Sequence, residues 1–251
     1  MASPLRECRE GLEHPLPAVE EMVWNTRWRP TVPEGFSALK AARAQAMLAS
    51  KVVEEDALGE DPELVAGVDV AYDSKNGAAA VVVISMKDRC EEDSRVFLGP
   101  VDFPYIPTFL AFREARFIFA VLRRLTTRPD VLMVNGHGLA HPRRCGLATH
   151  VGVVEKIPCI GVASRLLEGY MIVSCGGEKR VLDGEGKIAA NMVQTPKGPL
   201  YVSVGNMISL KRATELVALT IDGGRLPLPI RLAHKAAASL LADSARRGER
   251  E

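Results

Sequence analysis

Two short apolar runs joined by a helix constrain the fold of this chain more than any other feature of its sequence. VLMVNG (131–136) is apolar over its first four residues, as strands buried in parallel sheets are. CIGVAS (159–164) predicts another strand, and LATHVGVVEK (147–156) between them predicts a short helix. Strands connected through a crossover helix run parallel, so we expect an α/β protein built around a parallel pair.

The segments that precede this unit extend the predicted sheet. Three β-branched runs predict strands, an Asn-Gly pair predicts a hairpin between the first two, and a strongly amphipathic run predicts a helix. The strands are ELVAGVDVAYD (63–73), GAAAVVVISM (77–86) and SRVFLGPVDF (94–103), and the helix is TFLAFREARFIFAVLRRL (108–125). The predicted order β-β-β-α-β-α-β indicates one domain with a mixed, centrally parallel sheet.

The flanking segments complete the predicted organisation. Residues 1–36 hold five prolines and both tryptophans, and we interpret them as an arm that packs on a single domain of residues 37–251. Alanine-rich spacing predicts a helix over 36–56. The tail predicts a hairpin-like region, VLDGEGKIAANMVQ (181–194) then GPLYVSVGNM (198–207), and two helices, SLKRATELVALTI (209–221) with Ser209 as N-cap and LPIRLAHKAAASLLADSA (228–245).

Charge and cysteine usage exclude several protein classes. With 32 basic and 31 acidic residues, the chain is not a polycation that coats nucleic acid. Residues 96–170, however, include nine basic and five acidic residues. This local excess of positive charge is suited to contact with nucleic acid. Five cysteines without a CxxC pair argue against a disulfide framework or a zinc ribbon. Because no signal peptide or apolar membrane span is visible, we expect a cytoplasmic protein with no membrane contact. We also expect a monomer.

Two acidic residues lie where acids are costly. Asp69 lies between Val68 and Val70 in the first predicted strand, and Glu114 is the one acid on the apolar stripe of the helix that follows the third strand. A carboxylate in such a place must be paired, hydrogen-bonded or bound to metal. The alternatives are a strand face open to solvent for Asp69 and an ion pair with a neighbouring arginine for Glu114.

Further candidates follow the apolar strand or lie near the end of the chain. Asn135 lies where ligands and catalytic groups gather in α/β sheets, although Asn-Gly is also the commonest turn dipeptide. HGLAHPRRCGLATH (137–150) lacks the HExxH spacing of zinc sites, and we interpret its His141 and Arg143 as phosphate contacts. His234 shares a helical stripe with apolar residues, which is typical of a core histidine unless that helix packs over the strand ends.

A loop with two prolines precedes the helix of the buried glutamate. Pro104 and Pro107 stiffen FPYIPTFL (103–110), and its tip carries Tyr105 and Ile106. A rigid apolar tip is typical of a wedge that unstacks bases. A strand-to-helix corner packed into the core explains the same pattern.

The oxygen-bearing residues on the first strand, the following helix and the fourth strand suit a Mg²⁺ site for phosphodiester hydrolysis. At this point the sequence resembles the endonuclease V family. GVDVAY (67–72) resembles its first aspartate strand, PYIPTFLAFRE (104–114) its wedge loop and glutamate helix, and VNGHGLAHPRRCGLATHVG (134–152) its DGxGxxHPRxxGxAxHxG signature. CIGVAS, LYVSVGN and LPIRLAH resemble its later blocks. The resemblance covers nearly the whole chain and implies a ribonuclease-H-like fold.

The resemblance also implies an activity and a site. The family nicks DNA or RNA at the second phosphodiester on the 3′ side of inosine, leaving a 3′-hydroxyl, and uses Mg²⁺ or Mn²⁺. Asp69, Glu114 and Asn135 would hold the metal, and His234 would support the metal-bound water. The implied substrate-binding residues are Pro104, Tyr105, Ile106 and Pro107 in the wedge and Gly136, Gly138 and Gly161 around the hypoxanthine pocket, with His141, Arg143 and Ser164 nearby.

Three residues depart from the family's pattern. Asn135 stands where the family has an aspartate, Ser164 where it has a lysine and Asn206 where it has a histidine. Asparagine lacks the charge of aspartate and should hold Mg²⁺ less well. The chain is therefore either an inosine-directed nuclease in an inactivated or divergent form, or a non-catalytic protein that binds inosine. An ATP-binding protein is a further alternative, but the sequence shows no second glycine-rich phosphate loop.

Overall fold

The computed structural model of the protein describes residues 32–59 and 61–248. Most of the predicted N-terminal arm therefore lies outside the described residues. The helices are α1 (Ala38–Ala49), α2 (Leu110–Leu122), α3 (Leu147–Glu155), α4 (Leu210–Thr220) and α5 (Leu228–Gly248). The strands are β1 (Leu64–Tyr72), β2 (Asn76–Ser85), β3 (Glu91–Pro100), β4 (Val131–Asn135), β5 (Cys159–Ala163), β6 (Met171–Cys175), β7 (Glu178–Leu182), β8 (Ile188–Thr195) and β9 (Gly198–Asn206).

These nine strands form one sheet in the order β3-β2-β1-β4-β5-β9-β8-β7-β6. The three central strands β1, β4 and β5 run parallel, with Val68 beside Val134 and Asn135 beside Val162. Every other neighbouring pair is antiparallel. The predicted mixed, centrally parallel sheet and the α/β, ribonuclease-H-like architecture are confirmed. The parallel alignment places the carboxyl ends of three strands at one edge of the sheet, where ligands of such sheets bind.

Helices cover both faces of the sheet because successive strand residues point to opposite sides. Val65 of β1 packs in one core with Ile230 of α5, whereas its neighbour Ala66 packs with Ala115 of α2 on the other face. Helix α3 shares the core of α2, and α4 shares the core of α5. Each fully buried Val, Leu, Ile or Phe contributes roughly 1.5–3 kcal/mol, so the two cores hold the helices firmly against the sheet.

The largest differences from the sequence-based predictions concern strand β6 and helix α1, while β3 begins and ends three residues earlier than predicted. Strand β6 was not predicted, because a five-residue edge strand with exposed Met171 and Ile172 lacks the alternation that indicates strands. Helix α1 ends at Ala49 and does not continue to residue 56. The chain after α1 contacts the end of β9, where the backbone N–H of Val53 donates to Oδ1 of Asn206. This tertiary contact competes with continuation of the helix.

The close approach of α5 to β1 depends on a glycine. A Cβ atom at Gly67 would collide with the backbone of Pro229 and Ile230, so only glycine allows the first turn of α5 to lie on this strand. The next turn of α5 then carries His234 to the end of β1, next to Asp69. None of the described helices has both the length and the apolar composition that crossing a membrane would require.

Candidate functional site

Asp69 is the centre of a hydrogen-bonded cluster near the carboxyl end of β1. The residue is 7% exposed, so the alternative of a solvent-facing strand position is wrong. Its Oδ1 accepts a hydrogen bond from Nδ2 of Asn135 at 2.9 Å, and its Oδ2 accepts one from Nδ1 of His234 at 2.5 Å. The parallel register of β1 and β4 brings Asp69 and Asn135 together, although 66 residues separate them in the chain. Both carboxylate oxygens of Asp69 are therefore paired.

The interpretation of His234 as a core histidine is wrong. Its side chain is 58% exposed, whereas Ile230, one turn earlier on α5, is fully buried. The sequence analysis made an exception for a helix that packs over the strand ends, and this exception applies because α5 packs over β1. Since Nδ1 contacts Asp69, Nε2 is the ring nitrogen left for a water molecule or a substrate atom.

Glu114 of α2 lies buried near Asp69, on the apolar stripe from which its position was predicted. Burial, and after it the negative charge of Asp69, raises the pKa of the Glu114 carboxyl to about 8, although the Arg113 guanidinium opposes the increase. The neighbouring arginine therefore offsets only part of the cost of burying this acid. We call Asp69, Glu114, Asn135 and His234 the Asp69 cluster.

The donor atoms of the Asp69 cluster fit a divalent cation. Two carboxylates and an amide oxygen are hard ligands of the kind that Mg²⁺ and Mn²⁺ prefer. The charge of Asp69 contributes to the raised pKa of Glu114, and the positive charge of a cation held by these residues would offset this repulsion. Within residues 32–59 and 61–248, no group of three His, Cys, Asp or Glu side chains is arranged to hold a metal ion. The third protein ligand would therefore be Asn135, which adds no charge.

A cavity of about 280 Å³ borders the Asp69 cluster, because Asn135 forms part of its wall. Four of the predicted substrate-binding residues line it, namely Tyr105, Gly136, His141 and Ser164. Gly138 and Gly161 lie beneath this wall and pack so closely that a Cβ atom on Gly161 would collide with the backbone of Gly138. Pro104, Ile106, Pro107 and Arg143 do not contribute to the cavity lining.

The loop before α2, residues 103–109, is packed into the core over most of its length and exposed at one residue. Tyr105 is 58% exposed and lines the cavity, and its part as a wedge stays a prediction. Ile106, predicted to share the exposed tip, is buried in an apolar cluster with Phe103, Phe109 and Ala41 of α1. The corner is thus packed into the protein and presents one large side chain. We call residues 103–109 the Tyr105 loop.

His141 and Arg143 both bind this loop in the structure. Nε2 of His141 donates to the carbonyl oxygen of Thr108 at 2.9 Å, and Nη2 of Arg143 donates to the same oxygen at 3.0 Å. Burial, followed by the charge of Arg143, lowers the pKa of His141 to about 3, so the ring is neutral at physiological pH. The Arg143 guanidinium also stacks on the Phe109 ring at 4.5 Å. Phosphate contacts by these two side chains stay a prediction.

The other two departures from the family pattern have different surroundings. Ser164 lines the cavity, and its carbonyl oxygen accepts a hydrogen bond from Nη2 of Arg225 at 2.8 Å. Asn206 is 4% exposed and lies outside the cavity lining, and its Nδ2 donates to the carbonyl oxygen of Gly152 at 2.9 Å. Asn206 thus joins β9 to α3 and has a structural part in the fold.

Sequence reasoning missed several residues of the site. His137 and Leu147 line the cavity, and Gln45 of α1 lines it as well. Gln45 is 1% exposed and lies one turn after the buried Ala41. A polar side chain on the buried stripe of an alanine-rich helix was the available signal, of the same kind that identified Glu114.

The sequence is similar to those of known proteins over most of its length. A family model described as Endonuclease V matches residues 46–235, a range that contains the whole Asp69 cluster. The Endonuclease V of Aeropyrum pernix is 44% identical over 201 residues, which cover 79% of this chain and 78% of that protein.

Two solved structures extend the comparison to the fold. The Endonuclease V from Streptomyces avermitilis has a TM-score of 0.76 at 31% identity and covers 85% of this chain and 98% of its own. The Endonuclease V of Ciona intestinalis, solved in complex with a 24mer DNA containing an inosine followed by a ribo-adenosine, has a TM-score of 0.75 at 26% identity. That match covers 82% of this chain and 98% of the Ciona chain.

Proposed function

The chain belongs to the Endonuclease V family of nucleases, and we propose that it recognises inosine in DNA or RNA and hydrolyses the second phosphodiester bond on the 3′ side of the inosine. The observation that carries the proposal is the Asp69 cluster beside a cavity of about 280 Å³. This volume is slightly below the range of pockets for drug-sized ligands and suits a single base. The inosine-containing DNA bound by the Ciona protein supports the choice of substrate.

Cleavage is proposed to require Mg²⁺ or Mn²⁺, held by Asp69, Glu114 and the amide oxygen of Asn135. When bound, such a cation supplies charge stabilisation at the phosphodiester. The hydrogen bond from Nδ1 of His234 to Asp69 fixes the orientation of the imidazole ring. Nε2 of His234 then accepts the proton of the attacking water, and the exposure of this side chain leaves room for that water.

Recognition of the base is proposed to use the cavity and the Tyr105 loop together. The hypoxanthine base enters the cavity beside the backbone of Gly136, with Gly138 and Gly161 beneath. Tyr105 occupies the space that the base leaves in the strand, because its ring is exposed at the cavity edge. Extrusion of a base costs a few kcal/mol, which stacking on an aromatic ring offsets.

The proposal extends to the organisation of the protein. We place the nuclease in a single domain of residues 37–251, with residues 1–36 as an arm packed on it. We further propose that the protein acts as a monomer in the cytoplasm, in nucleic-acid repair or RNA processing. Analytical ultracentrifugation of the full chain tests whether the protein is a monomer.

A nicking assay tests the proposed activity. Inosine-containing DNA and RNA are incubated with Mn²⁺ and either the wild-type protein or the Asn135→Asp variant. Because the aspartate restores a negative charge to the cation ligands, the variant should cleave faster, on the order of tenfold. Asn76→Asp at the start of β2 is the control and should not change the rate. Absence of cleavage by both wild-type and Asn135→Asp protein contradicts the proposal.

One observation favours a second candidate function, a non-catalytic inosine-binding protein. The amide nitrogen of Asn135 donates to Asp69, so the carboxylate has a partner without any cation. This function predicts selective binding of inosine-containing strands in the presence of EDTA and no cleavage by Asn135→Asp. Equal affinity for inosine- and adenosine-containing strands would exclude it.

A further inference from the structure

Thr108, near the end of the Tyr105 loop, has a strained backbone that three side chains support. Its φ of 66° is rare for a β-branched residue, because the side chain is crowded against the backbone in this conformation. Its carbonyl oxygen accepts hydrogen bonds from Nε2 of Gln45 at 2.9 Å, Nε2 of His141 at 2.9 Å and Nη2 of Arg143 at 3.0 Å. Its hydroxyl oxygen accepts another from Nη2 of Arg143 at 2.6 Å. These bonds stabilise the strained conformation.

Gln45 connects this carbonyl to a second residue of the cavity lining. Its Nε2 also donates to the carbonyl oxygen of Cys145 at 3.1 Å, and its Oε1 accepts from Nε of Arg143 at 2.7 Å. Both Thr108 and Cys145 line the cavity, so one side chain of α1 links two lining residues that are distant in the chain. Gln45 is 1% exposed, so its own polar atoms are shielded from water.

Contacts elsewhere in the loop leave Tyr105 as its free side chain. Nη1 of Arg113 donates to the carbonyl oxygen of Phe103 at 2.8 Å, which holds the start of the loop on α2. Ile106 packs against Ala41 of α1, one turn before the bridging glutamine. Helix α1 therefore supports the middle of the loop by packing and its end by hydrogen bonds. The tyrosine ring projects from a backbone that is held on both sides.

We propose that Gln45 is a positioning residue that holds Tyr105 at the edge of the cavity and thereby sets the selectivity for an unstacked purine base. The proposal rests on the proposed recognition of inosine. Gln45 does not contact the Asp69 cluster by any described hydrogen bond, so its effect is on base selection and not on the bond cleaved. It lies one residue before the segment that matches the family model.

The test compares Gln45→Met and Gln45→Glu with the wild-type protein, in EDTA. Methionine keeps the volume and loses all three hydrogen bonds, whereas glutamate keeps the contact with Arg143 and loses both donated bonds. We measure the ratio of the dissociation constants for adenosine- and inosine-containing strands, and amide hydrogen exchange in residues 103–109. Because each variant loses at least two hydrogen bonds of Gln45, both the ratio and the protection should fall about tenfold. Gln194→Glu, an exposed glutamine on β8, is the control and should change neither.

The outcomes separate positioning from general stability. A purely structural role would lower the melting temperature of the variants and leave the selectivity ratio unchanged well below that temperature, which would overturn the proposal. If the glutamate variant does not fold, the methionine variant decides. A wild-type protein that binds both strands equally overturns the proposed function, and the role of Gln45 in base selection with it. In that case the exchange data still show whether Gln45 orders the loop, so the two failures are distinguishable.

Discussion

The Asp69 cluster and the Tyr105 loop lie on the same cavity but differ in how their polar groups are satisfied. In the cluster, burial and the nearby charge of Asp69 hold the pKa of Glu114 at about 8. In the loop, the carbonyl oxygen of Thr108 accepts three hydrogen bonds, and Gln45 uses both its nitrogen and its oxygen. The groups that hold the loop thus have partners within the chain, whereas the cluster buries two carboxyl groups close together. This contrast predicts that cleavage and recognition can be separated by mutation.

The largest expected effect separates cleavage from binding. In the Asn135→Asp background, Asp69→Ala should reduce Mn²⁺-dependent cleavage by about 10³-fold, because the cation loses a charged ligand. Binding of the inosine-containing strand in EDTA should change little, since Asp69 does not line the cavity. Single-turnover cleavage and fluorescence anisotropy measure the two quantities. Asp243→Ala on the exposed end of α5 is the control, and a parallel loss of binding would show that the two regions are not independent.

A smaller effect concerns the stability of the cluster without a cation. Glu114 keeps its proton up to a pH of about 8 when folded but releases it near its ordinary pKa of 4.5 when unfolded. The folded state thus binds more protons between these values, and the free energy of unfolding falls as the pH rises through this window. Glu114→Gln should remove much of this decline, of order 2–4 kcal/mol.

Denaturant unfolding in EDTA at the two ends of this pH window measures the decline. The exposed Glu63→Gln is the control and should leave the pH dependence of the wild type intact. If Glu114→Gln and the wild type have the same free energy of unfolding at both pH values, the raised pKa of Glu114 is contradicted.

The smallest of these effects lies on the recognition side. Tyr105→Ala should weaken binding of the inosine-containing strand by roughly 1–3 kcal/mol, because stacking on the ring is lost. Mn²⁺ affinity, measured by calorimetry, should not change. Leu219→Ala removes a similarly exposed side chain on α4 and serves as the control. A change in cation affinity would contradict the separation of the two regions.

The success of prediction from the sequence differs between the same two regions. Asp69 and Glu114 were visible because an acid inside an apolar strand or stripe is a local signal, and the structure brings both to one place. Gln45 had a similar local signal, but its role could not be predicted, because its partners Thr108 and Cys145 are 63 and 100 residues away and nothing near it in the chain indicates them. The sequence also did not indicate that Tyr105 is exposed and Ile106 buried, since both are apolar residues between two prolines.

The sequence by itself determined the order of helices and strands apart from the edge strand β6, the parallel centre of the sheet and the family, because these follow from local periodicity and from motifs in order. Only the tertiary structure decided that His234 is exposed and bonded to Asp69, because this depends on how closely α5 approaches β1 at Gly67. It also decided that α1 supports the Tyr105 loop. A hydrogen bond between distant residues depends on distance and angle, and these are set only when the strands are in register and the helices are packed.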